Sequence, residues 1–221
     1  MKNIKAIIFD AYGTLFDVNS AAEKCKEKIG DKWESFANYW RTTQLEYTWL
    51  RSLMGKHKDF WQVTEDSLDK SMRAFDIKIS MKNELLNLYK FLSTFGEVPR
   101  SLKTLKEKKY KLAILSNGTP KLLNELIKNN DLENIFDDIF SVEEVGVYKP
   151  DSRVYDIPIK KYRIKKNEIA FLSANTWDVS GGGNFGYNSI WVNRSNNIFD
   201  NLDYKPKYEI KDLNKLISLL S

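Results

Sequence analysis

Three clusters of polar residues in this 221-residue chain each follow directly on a short apolar run, at residues 10–14, 116–118 and 173–178. Asp10 and Asp178 carry carboxylates, which can act as a nucleophile or as a general base. Lys149 carries an ammonium group that would keep a nearby carboxylate ionised. Each cluster alone is more typical of a turn or a helix cap. Together, in this order, they predict one site built around a carboxylate nucleophile.

The apolar runs predict the strands that would carry these clusters. Runs without strict alternation, such as residues 4–9 and 111–115, are typical of strands buried on both faces of a parallel sheet. Further strands are predicted at residues 138–142, 168–172 and 189–192, and helices around residues 102–105 and at residues 120–129, 154–162 and 213–220. Strands alternating with helices predict a doubly wound, Rossmann-like α/β fold, in which ligands bind beyond the carboxyl ends of the strands. The three clusters are therefore expected to converge on one crevice.

Glycine and proline modify this pattern in two places. Gly181, Gly182, Gly183 and Gly186 predict a glycine-rich turn region. Pro158 is expected to interrupt or shorten the helix at residues 154–162, because proline has no amide hydrogen to donate.

The long segment between the first two strands predicts helices and no strand. Residues 20–95 are charged and rich in aromatic side chains, with apolar residues at helical spacing, as in Trp33, Phe36, Ala37 and Trp40. Pro99 is a boundary signal at the end of this segment. We therefore predict an α/β core domain from residues 1–14 and 98–221, and an inserted, all-helical cap domain from residues 15–97.

Composition narrows the class of protein. Hydrophobic residues make up 42% and charged residues 29% of the chain, which is typical of an ordinary globular protein. The formal net charge is +5, but lysines are mixed with acidic residues, so no nucleic-acid partner is expected. Neither a signal peptide nor an apolar run of ~20 residues is evident, and Cys25 is the single cysteine, so we expect a cytoplasmic protein that has no disulfide and does not bind membranes. The single histidine, His57, and Cys25 are interpreted as structural or surface residues.

The motifs resemble those of the haloacid dehalogenase superfamily, and within it the L-2-haloacid dehalogenases. The superfamily part is the start AIIFDAYGTLFD, the serine after the second core strand, the lysine and the late acidic residue. The more specific part is YWRTTQLEYTWLRSLM at residues 39–54, VYKPDSRVY at residues 147–155 and SANTWD at residues 173–178. The resemblance covers nearly the whole chain.

This resemblance implies a hydrolase that converts (S)-2-haloacids to (R)-2-hydroxyacids through an aspartyl ester, without a metal or cofactor, and that forms a homodimer. It implies that Asp10 is the nucleophile, that Lys149 orients it, and that Asp178 positions or activates the hydrolytic water. Arg41, Asn117 and Trp177 resemble the contacts of the leaving halide. The supporting polar residues would be Thr14, Ser116, Tyr155, Ser173 and Asn175. Ser116 and Asn117 would also bind the substrate carboxylate. The apolar wall around the alkyl group of the substrate would be formed by Tyr12, Leu45, Phe60 and Trp177. A candidate for the dimer interface is the aromatic-rich segment at residues 40–61.

Tyr12 separates this chain from the phosphatases of the same superfamily, which carry a second aspartate at that position. A tyrosine cannot serve as a carboxylic acid, and its ring would cover an apolar substrate carbon. The alternatives are a magnesium-dependent phosphatase of the same fold and a non-catalytic interaction protein. Tyr12 argues against the first, and the intact charged set of Asp10, Arg41, Lys149 and Asp178 argues against the second, because unused buried charges are costly to keep.

Overall fold

The computed structural model describes residues 1 and 3–220, and its central feature is a six-stranded, fully parallel sheet. The strands are β1 (Ala6–Phe9), β2 (Lys111–Ser116), β3 (Asp138–Ser141), β4 (Ile169–Ser173), β5 (Asn188–Val192) and β6 (Tyr208–Ile210). Their order across the sheet is β3-β2-β1-β4-β5-β6, so the chain order reverses beside β1. Such a reversal opens a crevice beyond the carboxyl ends of the neighbouring strands. The predicted doubly wound α/β fold is confirmed.

Helices connect the strands and cover the sheet. In the part of the chain that follows the insertion they are α6 (Val98–Glu107), α7 (Pro120–Asn129), α8 (Ser152–Tyr162), α9 (Thr176–Phe185) and α10 (Asn214–Leu220), with short 3-10 turns at Val142–Glu144 and Lys166–Glu168. The four predicted helices correspond to α6, α7, α8 and α10 and are confirmed, α7 at both ends, whereas α9 was not predicted. All residues of β1 and β4 are buried, as expected for strands covered on both faces.

The insertion between β1 and α6 is helical, as predicted. It contains α1 (Ser20–Lys24), α2 (Lys26–Ile29), α3 (Trp33–Leu53), α4 (Phe60–Ala74) and α5 (Lys82–Tyr89), with 3-10 turns at Gly30–Lys32 and Ile79–Met81. The two ends of the insertion lie side by side. The amide of Asp17 donates to the carbonyl of Ser93, and the amide of Phe95 donates to the carbonyl of Leu15. No helix among the described residues is long and apolar enough to cross a bilayer.

The predicted glycine-rich turn region is wrong. Gly181, Gly182 and Gly183 lie inside α9, and only Gly186, at φ +113°, ends that helix. Close packing explains why these positions are glycine. A Cβ on Gly181 would lie 2.8 Å from Cβ of Pro150, and one on Gly182 would lie 2.7 Å from the Phe171 ring. The glycines are therefore small residues that let α9 pack against the sheet and α8.

Two further details differ from the pattern-based predictions. Pro158 does not shorten α8, which runs from Ser152 through Tyr162 with Ile157 and Pro158 both buried, so packing compensates for the hydrogen bond that proline cannot donate. The three-residue edge strand β6 was not predicted.

Candidate active site

Asp10 lies at the carboxyl end of β1, and its two carboxylate oxygens differ in their hydrogen bonds. Oδ2 accepts from the hydroxyl of Thr14 (2.9 Å), Nδ2 of Asn175 (2.8 Å) and the hydroxyl of Ser173 (3.3 Å). Among the residues that the structure describes, Oδ1 accepts only from Nζ of Lys149, at 3.2 Å. Three donors fix the carboxylate through Oδ2, and Oδ1 keeps lone-pair capacity for a substrate.

The loop after β1 is held in place by β4 and the residues that follow it. The amide of Asp10 donates to the carbonyl of Leu172 (2.8 Å), which continues the pairing of the two strands. The hydroxyl of Thr14 accepts from the amide of Ala174 (2.8 Å), and the amide of Asn175 donates to the hydroxyl of Ser173 (3.1 Å). The two polar clusters therefore meet because their strands are neighbours. The sequence predicts that the clusters converge, but not which strands are neighbours.

Lys149 joins the nucleophile to the late acid. Its Nζ lies 3.2 Å from Oδ1 of Asp10 and 2.9 Å from Oδ2 of Asp178, and its side chain is 1% exposed. Burial alone would lower the pKa of Lys149, but the two carboxylates outweigh it and raise that pKa above its usual value. The amide of Lys149 donates to Oδ1 of Asn117 (3.1 Å), which ties the lysine to the turn after β2.

Asp178 lies in the first turn of α9 and is fully buried. The hydroxyl of Tyr155 donates to its Oδ1 at 2.7 Å, while Lys149 holds its Oδ2. Burial raises the pKa of Asp178 to about 6; Lys149 opposes that rise, and the charge of Asp10 adds to it. Burial, and next the charge of Asp178, raise the pKa of Tyr155 well above its usual value, so Tyr155 stays a neutral donor. At neutral pH Asp178 is an anion able to accept a proton.

Arg41 lies on α3 in the insertion, where its charge acts on Tyr12 and Tyr89. Its Nη1 donates to Oε1 of Gln44 at 2.9 Å, one helical turn further on. Nε2 of Gln44 in turn donates to the hydroxyls of Thr64 (2.7 Å) and Tyr89 (3.1 Å). A neutral, buried network on three helices of the insertion therefore holds the arginine.

Aromatic rings extend from the nucleophile loop into the insertion. The Tyr12 ring lies 5.1 Å from that of Phe60 and stacks at 5.7 Å on that of Tyr89. Trp177 packs edge-on against Trp49 of α3, with ring centroids 5.4 Å apart. These contacts place two of the four predicted wall residues, Tyr12 and Phe60, side by side.

The remaining predicted residues have mixed placements. Ser116 is buried, and its hydroxyl accepts from the amide of Gly118 (3.0 Å), so its side chain shapes the turn. Leu45 is half-buried on α3, one turn after Arg41, and its pocket role stays a prediction. His57 pairs with Glu143 (3.0 Å) and packs on Tyr148, and Cys25 is a buried free thiol. No cluster of three or more His, Cys, Asp or Glu residues suited to a metal ion occurs within residues 1 and 3–220.

Comparison with known proteins identifies the family. The family model for haloacid dehalogenase-like hydrolases matches residues 4–186, which include every predicted site residue. This chain belongs to the haloacid dehalogenase-like hydrolases. Within that family it is 40% identical over 221 residues to an (S)-2-haloacid dehalogenase of Pseudomonas sp. (strain YL), with 99% of this chain and 95% of the relative covered. It is 39% identical to an (S)-2-haloacid dehalogenase of Pseudomonas fluorescens, with 100% and 98% covered.

Solved structures of the same family superpose closely. A dehalogenase crystal structure, 35% identical, matches with a TM-score of 0.97 over 100% of this chain and 98% of the other. The L-2-haloacid dehalogenase of Xanthobacter autotrophicus, solved with chloropropionic acid covalently bound, is 31% identical and matches with a TM-score of 0.91 over 98% of each chain. The predicted family resemblance is confirmed.

Sequence reasoning missed the residues that support Arg41. Gln44, Thr64 and Tyr89 lie on three different helices and meet only in the folded insertion. One signal was present: Gln44 lies three residues after Arg41, the spacing at which helical side chains share a face.

Proposed function

We propose that this protein is an (S)-2-haloacid dehalogenase, which hydrolyses (S)-2-haloacids to (R)-2-hydroxyacids through an ester on Asp10. One observation carries the proposal: Asp10 is held by three donors on Oδ2, while Lys149 is the one donor to Oδ1 in the described part of the chain. A carboxylate that is fixed through one oxygen, with lone-pair capacity left on the other, is suited to in-line attack on carbon.

In the first step Oδ1 of Asp10 attacks C2 of the substrate. The Oδ1–C2 bond forms while the C2–halogen bond breaks, and the halide leaves with the electron pair. Attack opposite the leaving group inverts C2. Arg41 stabilises the departing halide with a permanent positive charge, and Asn117 and Trp177 complete its surroundings.

In the second step water attacks the ester carbonyl carbon of Asp10. Asp178 accepts a proton from this water, and Tyr155 and Lys149 hold its carboxylate in place. The bond between the carbonyl carbon and the oxygen attached to C2 then breaks, and the departing oxygen takes the proton from Asp178. The second proton of the water leaves Asp10 for solvent, which restores its carboxylate. The oxygen supplied by water stays in Asp10, and C2 is not touched again.

The substrate carboxylate lies at the turn after β2, where the amides of Ser116 and Asn117 are the proposed donors. Tyr12, Leu45, Phe60 and Trp177 form the wall around the alkyl group. Thr14, Ser173 and Asn175 keep Asp10 oriented. Lys149 supplies the positive charge that a pair of buried carboxylates needs, so the proposed reaction uses no metal.

We also propose that the protein acts as a cytoplasmic homodimer. The C-terminal part of α3 supports this, because it presents apolar side chains to solvent: Leu50, Leu53 and Met54 are 43%, 84% and 62% exposed. Leu53 also lines a groove together with Trp49, Trp177 and Leu202. A second copy would cover such a patch. The buried, unpaired thiol of Cys25 suits a reducing compartment.

The test is halide release from the two enantiomers of 2-chloropropionate, after exhaustive chelator treatment, beside a generic phosphatase substrate with added magnesium. We expect chloride and (R)-lactate from the (S) enantiomer alone, with negligible phosphatase activity. Retention at C2, equal turnover of both enantiomers, or activity that requires magnesium would refute the proposal.

A further inference from the structure

Arg41 is oriented by side chains that carry no charge. Its Nη1 donates to the amide oxygen of Gln44 at 2.9 Å, and its guanidinium also interacts with the Tyr89 hydroxyl. Within residues 1 and 3–220, no aspartate or glutamate forms an ion pair with it, whereas Arg51, Arg153 and Arg194 are each paired with a carboxylate. Arg41 therefore keeps an uncompensated positive charge.

The orientation of the Gln44 amide is fixed by its neighbours. The hydroxyl of Thr64 donates to the carbonyl of Phe60 (2.7 Å), so toward Gln44 it can only accept. Nε2 of Gln44 must be the donor of the 2.7 Å bond to Thr64, which leaves Oε1 facing Arg41. Gln44 and Thr64 are 1% and 0% exposed, so water does not compete for these bonds.

The network also connects Arg41 to the wall of the site. Tyr89 bonds to Gln44 and stacks on Tyr12, two residues from the nucleophile Asp10. The burial of Tyr89 raises its pKa, which keeps it neutral. Every group that positions the guanidinium is thus an uncharged oxygen.

We propose that Gln44 is a positioning residue that holds the Arg41 guanidinium for the leaving halide without cancelling its positive charge. This inference rests on the proposed dehalogenase function. A glutamate has the same size and would hold Arg41 through a charge-assisted hydrogen bond, but it would neutralise the charge that the halide needs. An acceptor that is polar and neutral satisfies both requirements.

The test compares Gln44→Glu, Gln44→Met and the wild type in bromide binding, measured by calorimetry without turnover, and in kcat for chloro and iodo substrates. We expect bromide affinity to fall about tenfold in Gln44→Glu, because the new carboxylate would form an ion pair with Arg41. The affinity should fall less in Gln44→Met, because Arg41 keeps its net charge there and loses only the hydrogen bond to the amide oxygen. The ratio of kcat for (S)-2-iodopropionate to that for (S)-2-chloropropionate should rise in Gln44→Glu, because chloride is the poorer leaving group. Asn83→Asp, on the exposed surface of α5, is the matched control for the added negative charge and should behave as the wild type.

If both variants fold, either of two results would overturn the inference. One is wild-type bromide affinity and wild-type halide ratio in a folded Gln44→Glu variant. The other is a Gln44→Met variant that loses as much affinity as Gln44→Glu, because the charge of the acceptor would then be irrelevant. If Gln44→Glu does not fold, unchanged bromide binding in Gln44→Met would also refute it. A wild-type protein that binds bromide but releases no halide from a haloacid would contradict the proposed function alone.

Discussion

The ammonium of Lys149 lies 2.9 Å from Oδ2 of Asp178, and their side chains are only 1% and 0% exposed. The same ammonium reaches Oδ1 of Asp10 at 3.2 Å. One buried cation thus serves two buried anions, which leaves the three groups with a net negative charge away from water. Such a group is stable only while its partners remain in place.

The first prediction concerns the pH dependence of ester hydrolysis. Burial raises the pKa of Asp178 to about 6, and only its ionised form can accept a proton from water. The rate of the second step should therefore fall as the pH drops through about 6, while halide release in a single turnover falls less. Asp178→Asn should release one equivalent of halide and accumulate the ester, seen as a mass increase on the peptide containing Asp10. Rapid multiple turnover by this variant would exclude Asp178 as the base.

The second prediction concerns stability. Lys149→Met removes the cation and leaves Asp10 and Asp178 buried without compensation, so the free energy of unfolding should fall by about 3–5 kcal/mol near neutral pH. Loss of Lys149 raises the pKa of Asp178 further above its value in the unfolded chain. The variant therefore loses unfolding free energy at those pH values at which the carboxyl group would otherwise be ionised. The destabilisation should be larger at about pH 8 than at about pH 5. Denaturant titrations of variant and wild type at both pH values measure it, and a pH-independent difference would contradict this account.

The third prediction separates catalysis from folding at Arg41. Arg41→Lys keeps a positive charge but loses the planar group that bonds to Gln44 and Tyr89. The rate of halide release should fall by about 10²–10³, the usual effect of removing a donor from a developing charge. The melting temperature should change little, because Arg41 forms no ion pair with any residue that the structure describes. Unchanged activity would mean that the halide site lies elsewhere.

The fourth prediction tests the close packing of α9. In Gly181→Ala the new Cβ would lie 2.8 Å from Cβ of Pro150 and would press on the ring of Tyr155, the residue that holds Asp178. We expect a loss of about 1–3 kcal/mol in unfolding free energy, as for overpacked cores, together with slower ester hydrolysis. Gly96→Ala is the control, since nothing lies within 4 Å of its added Cβ. Equal behaviour of the two variants would refute the packing argument.

The parts of this protein that local patterns determine were predictable from the sequence. Buried apolar runs end at Asp10 and before Asn117, and a parallel sheet brings the carboxyl ends of its strands to one edge, so the convergence of the polar clusters followed from the fold type. The order of the strands did not follow from the sequence. The α7 helix begins at Pro120 after a Thr119 cap, and such local signals gave its bounds.

The parts that depend on contacts between distant elements were not predictable. Gly181 and Gly182 carry the composition of a turn, yet they lie inside α9. They are glycines because Pro150 and Phe171 leave no room for a side chain, a constraint that the local sequence does not show. The bond between Gln44 and Thr64 joins two helices, and no local pattern signals it. The strand β6 has three residues at a sheet edge, too few for a periodic signal.

The fifth prediction tests the central claim, that Asp10 itself attacks the substrate. A single turnover of (S)-2-chloropropionate with excess protein in oxygen-18 water should place the label in a carboxylate oxygen of Asp10, detected by mass spectrometry of its peptide, and leave the (R)-lactate unlabelled. Water attacks the ester carbonyl, so its oxygen stays with the protein. Label in the lactate with none in Asp10 would show that water attacks C2 directly, and it would contradict the account.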